Sequence, residues 1–166
     1  AAATAASQLD NVDSLSFAAT PVPIKSGKGY GTDPDLTHHY EPGDVWPLTF
    51  TNAQTRLVTA LADLILPADD LGPAASELRV PDFIDEWISA PYPRQQTDRD
   101  KIIAGLEWLE EESHTRFNKD FTNLTEPQMR TIIDDICWPA DAKSEHKKAA
   151  SFFQAFRSIA AGAYYA

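Results

Sequence analysis

The sequence predicts an all-α domain, and three observations predict it. Apolar residues recur at steps of three and four from Leu48 to the C-terminus, no stretch alternates as a half-buried strand would, and Pro67, Pro91 and Pro139 cut the periodic run into short segments. Segments of that length, separated by forced turns, suit a compact irregular array of about five amphipathic helices rather than a long up-down bundle. No repeat period is present.

Residues 1–47 stand apart from this pattern. An Ala-rich tract is followed by Pro21, Pro23, Pro34, Pro42 and Pro47, interleaved with Gly27, Gly29, Gly31 and Gly43. That density disfavours helix and sheet alike, so the segment reads as an extended arm. Phe17, Val22, Ile24, Tyr30, Leu36, Tyr40, Val45 and Trp46 punctuate it. A free tail gains nothing from exposing such side chains, so the arm is expected to lie against something, a partner subunit being favoured for much of its length.

The helical domain then takes residues 48–166. Thr51 and Gln54 have capping-box spacing, followed by Leu57, Val58, Leu61, Leu64 and Ile65, with Pro67 closing the helix. Pro81 sits at the next helix start, where its missing N–H costs nothing, and Phe83, Ile84, Trp87 and Ile88 form one face until Pro91. A longer helix is expected from near Thr97, with Ile102, Ile103, Leu106, Leu109 and Phe117 inward. Thr125 and Gln128 repeat the capping box, with Leu124 and Met129 at the staple positions and Ile132, Ile133 and Ile136 following. The last helix is expected to begin near Ser144 and to run through Phe152, Phe153, Phe156 and Ile159 toward Tyr164.

Composition excludes more than it names. Fourteen Lys and Arg against 25 Asp and Glu leave a net charge of -11, a surface that repels phosphate backbones and anionic headgroups. Nucleic acid is therefore not an expected partner. No run reaches the roughly 18 apolar residues of a membrane span. Cys137 is the sole cysteine, so an intrachain disulfide, a thiolate zinc site and a C-x-x-C-H haem attachment are all unavailable. On an apolar helix face it reads as a small core residue rather than a reactive thiol.

Few residues suggest chemistry. His38 and His39 could ligate a metal, but no further ligands stand at usable spacing, and imidazoles in a contact arm explain them as well. Asp69 and Asp70 could hold calcium or act as acid and base; the alternating oxygen ligands of an EF-hand are missing, and loop capping is the simpler reading. The run Ser26-Gly27-Lys28-Gly29-Tyr30-Gly31 lacks the flanking strand and helix of a phosphate loop and reads as a turn. Glu110, Glu111 and Glu112 read as a solvated helix end, with attraction to a basic partner as the alternative. Ser113 and His114 point apart on a helix, so they make no catalytic pair. Of the tryptophans, Trp108 lies toward one edge of the inward set Ile102, Leu106 and Leu109, where it could anchor an interface. The expected partner-facing residues are thus Tyr30, Tyr40, Trp46 and Trp108, with no catalytic, cofactor or metal residues assigned.

The order of several runs resembles the gluconate 2-dehydrogenase subunit 3 family. They are Leu48-Thr49-Phe50-Thr51-Asn52-Ala53-Gln54, then Leu61-Ala62-Asp63-Leu64-Ile65-Leu66-Pro67-Ala68-Asp69-Asp70, and Val80-Pro81-Asp82-Phe83-Ile84-Asp85. Gly105-Leu106-Glu107-Trp108-Leu109 comes next, then Arg116-Phe117-Asn118-Lys119-Asp120-Phe121 leading into Leu124-Thr125-Glu126-Pro127-Gln128, and finally Phe152-Phe153 with Gly162-Ala163-Tyr164-Tyr165. The resemblance implies a small helical subunit, non-catalytic itself, bound to a flavoprotein of the glucose-methanol-choline oxidoreductase type. FAD would then belong to that partner, and haem c to a cytochrome c subunit in complexes like the gluconate enzyme.

It further implies twin-arginine export to the periplasm together with the flavin subunit, and oxidation of sugars, glycosides (including at the ring 3-position) or sugar acids. Two departures stand out. The chain carries no twin-arginine segment, and its Ala1-Ala2-Ala3-Thr4-Ala5-Ala6 start resembles the remnant of a small-residue cleavage site. It also stops at Ala166, where the family helix usually runs on. The competing reading is a free-standing helical interaction or scaffold protein without a redox role.

Overall fold

The computed structural model describes residues 40–166 and contains five α-helices with two short 3-10 turns. Tyr30, His38, His39 and the glycine-rich run 26–31 lie outside the described residues.

Helix α1 spans Asn52–Ile65. The Thr51 N–H donates to Gln54 Oε1 at 2.9 Å and the Gln54 N–H donates to Thr51 Oγ1 at 3.3 Å, completing the capping box. Helix α2 spans Val80–Ser89 with Pro81 in its first turn. Its cap is Arg79, held at a left-handed φ of 58° where glycine or asparagine is usual, and its guanidinium is tied to Asp82 and Glu41 at 2.7 and 3.1 Å.

Helix α3 spans Pro93–Phe117 and so begins ahead of the expected Thr97. Pro93 supplies a helical φ at the first turn, and the polar residues Arg94 to Gln96 that come after it carry no apolar signal from which to read it. Asn118, at a φ of 53°, ends the helix in a left-handed C-cap. A 3-10 turn at Phe121–Asn123 leads to α4, Glu126–Asp134, whose capping box is Thr125 with Gln128. The expected last helix is split into a 3-10 turn at Ser144–His146 and α5, Lys147–Tyr164.

The most extensive packing is α3 on α5, with α2 lying on both and α1 on α2. Gly105 makes the α3–α5 approach possible, since a Cβ there would overlap the Phe152 ring. Phe121, Phe152, Phe156, Leu57, Leu61, Ile84, Ile102, Leu106 and Leu109 are fully buried in the shared core. Each such side chain contributes about 1.5–3 kcal/mol relative to exposure.

The boundary expected between residues 47 and 48 falls inside a packed stretch. Trp46 is buried and donates its indole N–H to the Glu86 carbonyl at 3.1 Å, while the Gly43 N–H reaches Glu86 Oε2 at 3.0 Å. Further along, the Thr49 and Phe50 N–H groups share Asp85 Oδ1 at 2.9 and 3.1 Å. The end of the arm therefore belongs to the helical domain, because α2 offers acceptors that satisfy its backbone and one indole.

Candidate functional site

The surface beside this attachment is aromatic. Phe83 and Trp87 stack at 6.2 Å between centroids, and Trp46 meets Tyr92 edge-on at 6.3 Å. With Glu86, Ala90 and Gln95 they line a groove of about 180 Å³ whose walls are almost wholly apolar. Phe83 and Tyr92 remain exposed there. Arg94 lies 5.4 Å over the Trp87 ring, and the Trp87 N–H is fixed by Asp98 at 3.0 Å. Trp46 itself is buried with its indole N–H spent on its own α2, and its ring helps to line the groove where its neighbours Phe83 and Tyr92 are exposed. Tyr40, half-buried, opens the described stretch.

Asp85 is the polar centre of this region. Burial pushes its carboxyl pKa up, and the Thr49 and Phe50 N–H groups and the Ser89 hydroxyl pull it back in part. Glu86 is raised as well, by burial first, against the Gly43 hydrogen bond. Both are acceptors for a fixed backbone, a structural use that accounts for their position.

Trp108 occupies the edge expected of it. It is half-buried against the core and meets His146 edge-on at 5.5 Å, beside a groove of about 430 Å³ between α3 and α5. Lys101, Glu111 and Lys148 supply its polar rim, while Gly105 and Phe152 form its floor. The most open tryptophan is instead Trp138, 61% exposed with Arg157 at 5.4 Å over its ring. Leu71, 96% exposed, stands on the loop between α1 and α2.

Asp69 caps that loop, its Oδ1 accepting from the Leu71 and Gly72 N–H groups at 2.7 and 3.0 Å. The reading of residues 110–112 as a solvated run needs correction. Glu110 is buried and accepts from the Phe121 N–H at 3.1 Å; Glu112 pairs with Arg116, which also reaches Asp135 at 2.7 Å and so ties α3 to the end of α4. Glu111 alone of the three is exposed. Cys137 lies past the end of α4, half-buried, with its thiol directed to the Asp134 carbonyl.

Glu110, His114 and Asp120 come together, a grouping that pairing His114 with Ser113 overlooks. The signal was present in the four-residue step from Glu110 to His114. Asp120 joins them only because the chain reverses at Asn118.

The sequence profile of gluconate 2-dehydrogenase subunit 3 matches residues 52–166, which take in all five helices. The chain belongs to the gluconate 2-dehydrogenase subunit 3 family. Membership makes its helical domain that of a dehydrogenase-complex subunit, and the match begins at the first residue of α1. No curated protein and no solved structure matched the chain. Among the described residues no helix is long and apolar enough to cross a membrane.

Proposed function

We propose that this chain is the non-catalytic small subunit of an exported, FAD-dependent dehydrogenase complex acting on sugars, glycosides or sugar acids. The family match across the whole helical domain carries this reading. In it, FAD and substrate sit in a glucose-methanol-choline type partner, and a cytochrome c subunit takes the electrons onward in complexes built like the gluconate enzyme. The small subunit assists folding, stability and twin-arginine export of the flavoprotein to the periplasm. Exposed aromatic and aliphatic side chains, Phe83 with Tyr92, Trp138, and Leu71, support a role in association, since large apolar groups at interface centres carry most binding energy.

Producing the flavoprotein encoded beside this chain, with and without it, tests the reading. The two should co-purify, and omission should strip flavin absorbance and dehydrogenase activity from the exported fraction. A flavoprotein that matures and turns over equally well alone, with this chain isolated as a lone monomer, would overturn it.

A further inference from the structure

Three metal-ligating side chains converge where α3 ends. Glu110 and His114 stand one turn apart on one face of the helix, and the left-handed turn at Asn118 returns the chain so that Asp120 lies beside them. One ligand atom from each falls within 4.8 Å of the others, and His114 Nε2 is 2.9 Å from Asp120 Oδ1. Glu110 is more than nine-tenths buried, and among the described residues no Lys or Arg pairs with it. Its Oε2 takes the Phe121 N–H, which leaves further lone pairs on a carboxylate that has about four.

We propose that Glu110, His114 and Asp120 bind a divalent first-row transition ion, with water completing the coordination on the open side. One imidazole with two carboxylates suits zinc or a neighbouring metal better than calcium or magnesium, which prefer oxygen alone. Ligands at about 2.0–2.2 Å from zinc stand about 3.3–3.6 Å apart in a tetrahedron, so the site closes by small rotations. His114 and Asp120, with side chains 52% and 49% exposed, are free to make them. Two hydrogen bonds already orient the carboxylates: Phe121 N–H on Glu110 Oε2, and Asn123 Nδ2 on Asp120 Oδ2 at 3.3 Å. Burial pushes the Glu110 pKa up, a cost to its charged form that a bound dication offsets. The ion would lock the end of α3 to the turn that seats Phe121 in the core.

Titrating the full metal-free chain with Zn²⁺ by calorimetry, and with Co²⁺ by visible absorption, tests this. One equivalent should bind, with a cobalt spectrum of nitrogen and oxygen ligation and a rise in melting temperature. His114→Ala and Asp120→Asn alter exposed side chains, so both should fold, weaken binding at least about tenfold and lose the thermal shift. A His38→Ala/His39→Ala variant should bind as the parent does. Absence of a one-to-one isotherm, or one unchanged in His114→Ala but lost in the His38/His39 variant, would overturn the assignment.

Discussion

Helix α2 holds the segment that precedes α1, and α3 holds α5, but by different physics. The first attachment is a set of directed hydrogen bonds onto two acidic residues: Asp85 receives the Thr49 and Phe50 N–H groups, and Glu86 receives Gly43 and, through its carbonyl, Trp46. The second is shape. Gly105 leaves a gap that the Phe152 ring fills, with Leu106, Leu109 and Phe156 buried around it. A contact built on acceptors depends on protonation and fails when a partner is removed. A contact built on shape ignores pH and fails when atoms are added.

Gly105→Ala is the sharpest way to break the second contact. Alanine gains about 1 kcal/mol of helix propensity over glycine, but overpacking a tight core costs about 1–3 kcal/mol or more. Because the new Cβ would overlap the ring at its root rather than at a flexible tip, we expect the overpacking to win at the upper end of its range, with a net loss of about 2 kcal/mol by urea unfolding. Phe152→Leu should recover part of that loss in the double variant. A Gly105→Ala chain as stable as the parent would show that the helices can separate without penalty.

Asp85→Ala breaks the first contact by removing the shared acceptor. Two backbone N–H groups next to the α1 cap then lose their partner, and hydrogen bonds to a charged acceptor are worth about 1.5–3 kcal/mol. Relief of the buried charge offsets part of this, so a loss of about 1–2 kcal/mol is expected. Hydrogen exchange at Thr49 and Phe50 should quicken while amides of α5 keep their protection. Equal exposure of α5 would mean that the two contacts are one cooperative unit.

The sequence foretold the shape contact better than the polar one, for physical reasons. Periodicity reports which face of a helix is apolar, so Leu57, Leu61, Ile102, Leu106, Phe152 and Phe156 were legible as core, and capping boxes at Thr51 and Thr125 were legible as starts. Nothing in spacing says that Asp85 will meet backbone N–H groups 36 and 35 residues earlier, or that Trp46 will spend its indole on Glu86. Arg79 was equally hidden, since intrinsic preference does not place an arginine in the left-handed region, and the turn bonds from its N–H to the Ser76 carbonyl and from the Phe83 N–H to its own carbonyl exist only in the fold. At the end of α3, the pairing of Glu110 with His114 was readable from their step. Asp120 was not, because the turn that delivers it rests on a single left-handed asparagine.

The smallest effect expected is also the one that separates the two contacts. Asp85, Glu86 and Glu110 all have pKa values raised chiefly by burial, from ordinary values of 3.8 for Asp and 4.5 for Glu. Each binds a proton more readily folded than unfolded, so its contribution to stability is full below the ordinary value and is lost as pH rises through the folded one. Lowering the pH from neutral toward that ordinary range should therefore raise the urea midpoint modestly, in the same direction as the easing of repulsion in a chain of net charge -11. Asp85→Asn keeps an acceptor for Thr49 and Phe50 without a charge to desolvate, so it should flatten the slope without abolishing it, while Gly105→Ala should lower stability and leave the slope as it was. A slope identical in Asp85→Asn would mean that the hydrogen bonds to Asp85 cancel its burial, and a midpoint that rises more steeply on acidification in the variant than in the parent would mean that they outweigh it and that the polar attachment is held by the ionised carboxylate after all.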